Sequence, residues 1–219
     1  MSLAMVLANP YGIVMTADRR LTIGPKEITN NVFFLSPSLN HQQKLFLTKS
    51  GHGIACVGMI TLPDGITVTT IIKEAISAFT DPSVSVFQEL EYLKNELMQH
   101  MNSKDTVLIG VGIQQKKHEI FKTTLSVNDI ENLTDKDGFC IKAEGDTTIA
   151  NTLIAGQYNT SNCTLFSLQE CINYLRFINS TSSKLQYYNG DLQSISEECD
   201  VLVVDNDGAR WITSQEDLI

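Results

Sequence analysis

The chain predicts an α+β fold, a four-layer α-β-β-α sandwich made of two stacked antiparallel sheets. Three observations lead there. The strand-like runs are apolar at nearly every position, as expected for strands covered on both faces. Short turn signals join them in pairs, which makes the pairs antiparallel hairpins. Helical stripes come in two groups set between groups of strands, so helices are expected outside the stacked sheets. No composition shift, repeat or linker divides the sequence, and residues 1–219 are expected to form a single domain.

The elements follow in order. Leu3–Ala8 and Gly12–Ala17 read as a strand pair around the turn Asn9-Pro10-Tyr11-Gly12. The interval Leu21–Gln43 is polar and irregular, a long loop or an extra hairpin. Lys44–Thr48 and Gly53–Val57 form a second hairpin through Lys49–His52. After Pro63-Asp64-Gly65, Val68, Ile71, Ile72, Ala75, Ile76 and Phe79 fall on one helical face, and Asp81-Pro82 ends that helix. A second helix carries Val86, Leu90, Leu93 and Leu97, with Ser85 as its cap. Strand character returns at Thr106–Ile113, His118–Thr123 and Phe139–Ala143, the last preceded by the turn-like Asp135–Gly138. A short helix follows Asp146, for which that residue serves as N-cap. A longer one is signalled by the capping box Ser167–Glu170, with Leu168, Cys171, Ile172, Leu175 and Ile178 as its buried stripe. Val201–Val204 and Ala209–Ile212 close the chain as a hairpin across Asp205–Gly208.

Composition narrows the function. A net charge of −9 and a pI near 4.8 exclude a basic nucleic-acid surface. No run of 18 apolar residues exists to cross a membrane, and the N-terminus lacks the pattern of a secretory signal. Five cysteines without a C-x-x-C pair point to reduced thiols with packing roles, and so to the cytoplasm. There is no phosphate-binding glycine loop, dinucleotide fingerprint or G-x-S-x-G elbow. The four histidines show no metal-ligand spacing, so no cofactor and no metal are expected.

What remains is the N-terminal stretch Ser2–Arg20. A hydroxyl at the head of a chain can use its own α-amine, with a pKa near 8, as general base. A lysine lowers the cost of forming the alkoxide, an aspartate holds that lysine, and a backbone N–H stabilises the oxyanion. Ser2, Asp18, Lys44 and Gly58 fit these four roles. With that constellation the chain resembles the proteasome β-subunit and the related two-ring bacterial peptidase, N-terminal nucleophile hydrolases. The segment Gly12–Arg20 matches their Gly-led apolar strand ending in Ala-Asp-x-Arg, and Lys44 and Gly58 have the family's separation.

The chain departs from that pattern in the greater length of the Leu21–Gln43 interval and in three motifs. Ser2 stands where the family has Thr, Gly145-Asp146-Thr147 replaces Gly-Ser-Gly, and Ser194–Asp200 replaces Asp-x-x-Ser-Gly-Gly. The resemblance implies peptide or amide hydrolysis by Ser2 after removal of Met1, with Asp18, Lys44 and Gly58 in the reaction and Arg20 and Asp146 in support. It also implies a bacterial type of homo-oligomeric ring and a peptide or protein substrate. The alternative is a degenerate subunit that assembles without hydrolysing.

Overall fold

The computed structural model describes residues 2–20, 42–58, 67–79, 81, 83–101, 105–135, 138–155, 160–190 and 193–213. Met1, most of the Leu21–Gln43 interval, Pro63–Gly65 and Pro82 therefore lie outside the described residues.

Sheet A contains β1 (Leu3–Asn9), β2 (Gly12–Asp18), β8 (Cys140–Gly145), β9 (Cys199–Asp205) and β10 (Gly208–Thr213), in the order β10-β9-β2-β1-β8. Sheet B contains β3 (Leu45–Leu47), β4 (Gly53–Val57), β5 (Val107–Gln114), β6 (Lys117–Thr124) and β7 (Ile130–Asn132), in sequence order. All these pairings are antiparallel. The helices are α1 (Val68–Ala78), α2 (Val86–His100), α3 (Thr148–Ala155) and α4 (Leu168–Asn189). Capping side chains start three of them: Thr67 for α1, and reciprocal boxes at Ser85/Gln88 for α2 and Ser167/Glu170 for α4. Gly190, at φ +73°, stops α4 in the left-handed conformation that favours glycine.

Side-chain alternation explains why the central strands look uniformly apolar. Ala4, Val6 and Ala8 of β1, with Ile13, Met15 and Ala17 of β2, pack against Leu45, Ala55, Val57, Ile109 and Val111 of the other sheet. The intervening Leu3, Met5, Leu7 and Val14 pack against Cys171, Ile172, Leu175 and Ile178 of α4. On sheet B, Ile54, Cys56 and Leu108 meet the stripes of α1 and α2. Each fully buried Leu, Ile or Val of this kind contributes about 1.5–3 kcal/mol.

The expected four-layer α-β-β-α sandwich is corrected to a coarser description: two five-stranded antiparallel sheets and four α-helices among the described residues. The reason is physical. A helical stripe in a sequence reveals that a helix buries a face, but not how many helices share a layer. Of α3 only Ala150 is buried, whereas α4 buries Cys171, Ile172, Leu175 and Ile178 along its length. The strand β7 was not expected at all, because three half-exposed residues carry no periodic signal.

Candidate active site

The register of sheet A gathers several chain segments at one edge. Leu3 at the start of β1 lies opposite Gly145 at the end of β8, and Asp18 at the end of β2 lies opposite Cys199 at the start of β9. Ser2, Asp146 and the segment 193–198 therefore meet where these strands begin or end.

Asp18 is the centre of this edge and is wholly buried. One carboxylate oxygen, Oδ1, accepts the Leu3 N–H at 2.8 Å and the Lys44 ammonium at 2.7 Å. The other, Oδ2, accepts the N–H groups of Arg20 at 2.8 Å and Ser196 at 3.2 Å. Four donors on one carboxylate satisfy a charge that burial alone would make very costly. Lys44 is also buried, and its ammonium donates a second hydrogen bond to the Arg20 carbonyl. Burial outweighs the Asp18 carboxylate and holds the Lys44 ammonium below the ordinary lysine value. The neighbouring Cys56 thiol is pushed up to about 12 by the same desolvation, so it remains protonated at neutral pH.

Ser2 has no exposed surface, and its Oγ is buried without a hydrogen-bond partner. Its carbonyl accepts the Asp146 N–H at 2.7 Å. Gly145 makes that approach feasible: it sits at φ +99°, and a Cβ there would lie 1.9 Å from the Ser2 carbonyl oxygen and 2.6 Å from Val57 Cγ1. Val57 thus brings the end of β4 beside Ser2, and Gly58 follows directly. Gly58 itself has φ +131°, and a Cβ on it would stand 2.8 Å from Thr106 Cα.

The structure pairs Asp18 with Lys44 and sets Ser2 one residue before the Leu3 N–H that Asp18 accepts, while Gly58 follows Val57 at the end of β4. Arg20 contributes its backbone N–H and carbonyl, while its guanidinium reaches the Gln193 side chain at 3.0 Å. Asp146 does not cap α3 as expected. Thr147 accepts the Asn151 N–H at 2.7 Å in that place, and Asp146 Oδ2 accepts Ser194 Oγ at 2.5 Å and Gln186 Nε2 at 2.8 Å.

Several contributors were not anticipated. Gln186 Oε1 accepts the N–H groups of Ser194 and Ile195 at 3.1 and 3.2 Å, and Asn179 Nδ2 donates to the carbonyls of Ser196 and Glu197. Ser196 Oγ accepts the Arg19 N–H at 2.7 Å, and Arg19 is paired with Asp200 at 2.8 Å. The available signal was polar residues on the face of α4 that otherwise carries Cys171, Leu175 and Ile178. Among the described residues, no group of three or more His, Cys, Asp or Glu side chains could hold a metal ion.

No protein-family model matches the chain, and no curated protein matches it. Solved structures do. Anbu from Hyphomicrobium sp. strain MC1 superposes with a TM-score of 0.64 over 97% of this chain and 88% of that one, at 15% identity. A (Gly-1) mutant of Anbu from the same organism gives a TM-score of 0.66 over 100% of this chain and 92% of that one, at 14% identity.

The chain shares its fold with Anbu. This corrects the resemblance to the proteasome β-subunit and the two-ring bacterial peptidase. The two structures compared above are those of Anbu, and no family model supports membership in the family read from the motif. The motif residues are mainly apolar strand positions with a buried acid–base pair at their end, a pattern that specifies a strand edge more sharply than a family. Among the described residues no helix is long and apolar enough to cross a membrane.

Proposed function

We propose that the protein is an amide or peptide hydrolase with an N-terminal serine nucleophile, acting in the cytoplasm. Removal of Met1 turns the Ser2 amide into a free amine. That amine takes the proton of Ser2 Oγ as the oxygen attacks a carbonyl carbon. The Lys44 ammonium, held by Asp18, stabilises the developing charge on Oγ, and the Gly58 N–H faces the carbonyl oxygen as it becomes an oxyanion. Collapse of the tetrahedral intermediate breaks the C–N bond, with the proton passing from the ammonium of Ser2 to the leaving amine. Water, deprotonated by the same α-amine, then cleaves the Ser2 ester and regenerates the enzyme.

One observation carries this reading: Ser2 Oγ has no partner although it is fully buried, one residue before the Leu3 N–H that Asp18 accepts. A buried hydroxyl left without a hydrogen bond costs about 1–3 kcal/mol, and a role in a reaction is one reason such a cost is retained. The complete enclosure of Ser2 favours a second reading, a subunit of this fold that assembles without hydrolysing. An amide-hydrolysis assay on protein shown by intact mass to lack Met1 separates the two. The first reading predicts turnover that Ser2→Ala removes by a factor of at least about a thousand. Equal turnover in the variant, or none in either protein, contradicts it.

A further inference from the structure

A second polar centre lies at the opposite end of the sheets, where the β3–β4, β5–β6 and β9–β10 turns converge. Its core is Glu89, a wholly buried carboxylate on α2. Glu89 Oε2 lies 2.9 Å from His52 Nδ1, and Oε1 accepts the hydroxyl of Ser50. In the neutral ring whose Nδ1–H the carboxylate accepts, Nε2 is the remaining polar atom, 3.2 Å from where a Cβ on Gly112 would stand. The ring is locked against Gly112, where a Cβ would stand 2.6 Å from His52 Cδ2 and 2.6 Å from Val86 Cγ2. This arrangement does not make Ser50 a nucleophile with His52 as base. The serine hydroxyl is 3.3 Å from Nδ1, the nitrogen already committed to Glu89, and is itself given to the carboxylate.

His52 borders a cleft of about 590 Å³, within the range of small-molecule sites. Across from it the β5–β6 turn places Gln115 and Lys116 at φ +50° and +63°. Two consecutive non-glycine residues in the left-handed region are strained, and an Asn-Gly pair would relieve it. That strained turn sets Lys116 on the cleft wall with no ion-pair partner among the described residues. The acid on the lining, Asp205, is occupied by Arg210 at 2.7 Å.

We propose that this cleft binds a small hydroxycarboxylic acid. The ligand carboxylate pairs with the Lys116 ammonium, and its hydroxyl donates to His52 Nε2, whose tautomer and orientation Glu89 holds. The buried Glu89–His52 pair supplies a fixed acceptor, the strained turn supplies an exposed cation, and the lining also offers the neutral polar Gln114 and Asn206 and the apolar Ile113 and Val204. The site is remote from the Asp18 edge and does not depend on the hydrolytic reading.

The test uses the full chain carrying Ser2→Ala, so that loss of hydrolysis leaves it unaffected. Malate and succinate, which differ by one hydroxyl, are titrated at constant ionic strength. The ring nitrogens of ¹⁵N-labelled His52 and the Gly51 amide are followed by NMR. The proposal predicts a saturable shift with malate, affinity for succinate weaker by about tenfold, and a similar loss for malate in Lys116→Ala. Lys116 is an exposed turn residue, and an unchanged spectrum elsewhere shows that the variant is folded. No saturable shift with malate, equal affinity for the two acids, or undiminished affinity in Lys116→Ala overturns the proposal.

Discussion

Lys44 is the residue on which the account turns. Its folded pKa lies below the unfolded value of 10.5, because burial disfavours the ammonium more than Asp18 favours it. Between those two values the unfolded chain binds more protons than the folded one, so stability rises with pH through that window and the Lys44 contribution is constant below it. Activity moves the other way, since the ammonium stabilises the alkoxide. Its alkaline limb is expected below pH 10.5, and urea midpoints measured across the same window are expected to rise in wild type relative to Lys44→Met. A flat difference between the two proteins contradicts the buried cation. Breaking the pair from one side leaves a buried charge uncompensated, so Lys44→Met costs about 3–5 kcal/mol, which adding Asp18→Asn partly restores. The set of chemical roles and the family resemblance drew attention to Asp18, Lys44 and Ser2, which stand at a readable strand end and strand starts. The N–H groups of Leu3, Arg20 and Ser196 on Asp18 were not readable, since backbone donors leave no trace in residue identity.

At the scale of elements, the site is held by the junctions of β1, β2, β8 and β9. Gly145 is the narrowest of these. Gly145→Ala forces β8 away from the Ser2 carbonyl, and an expected loss of at least about 2 kcal/mol combines left-handed strain with the lost Asp146 N–H contact. Thermal or urea unfolding checks it; a wild-type midpoint contradicts the close approach. The hairpins and the apolar stripes of α1, α2 and α4 were legible because period 2 and period 3.6 separate cleanly in long segments. Helix α4 was legible only in part. Its apolar face was plain, but Asn179, Ser183 and Gln186 interrupt it to bond the 193–198 segment. Polar residues inside an apolar stripe read as exposed until a partner segment is in place. The same limit explains Asp146, whose partners Ser194 and Gln186 are distant in sequence.

The molecule as a whole leaves Phe177, Leu165, Tyr187 and Tyr188 more than half exposed. Large apolar side chains concentrated on one helix and the turn before it mark association surfaces. The protein is therefore expected to be a homo-oligomer in size-exclusion chromatography with light scattering, and Phe177→Asp with Tyr188→Asp to lower its mass. A monomer in the unaltered protein contradicts this. Two antiparallel sheets and the helices between their strand groups followed from the hairpin signals and the apolar stripes, yet the layer arrangement did not, because a stripe does not count its neighbours. Family was least legible. At 14–15% identity to Anbu, the likeness is one of fold and leaves little trace in residue identity.

The central claim is that Ser2, freed of Met1, forms an acyl ester beside Asp18 and Lys44. Incubation with a β-lactone acylating probe, followed by intact-mass and peptide mass spectrometry, tests it most directly. The account predicts a single acyl adduct on Ser2, absent from Ser2→Ala and strongly reduced in Lys44→Met. An unmodified Ser2, or an adduct that persists in Ser2→Ala, contradicts it.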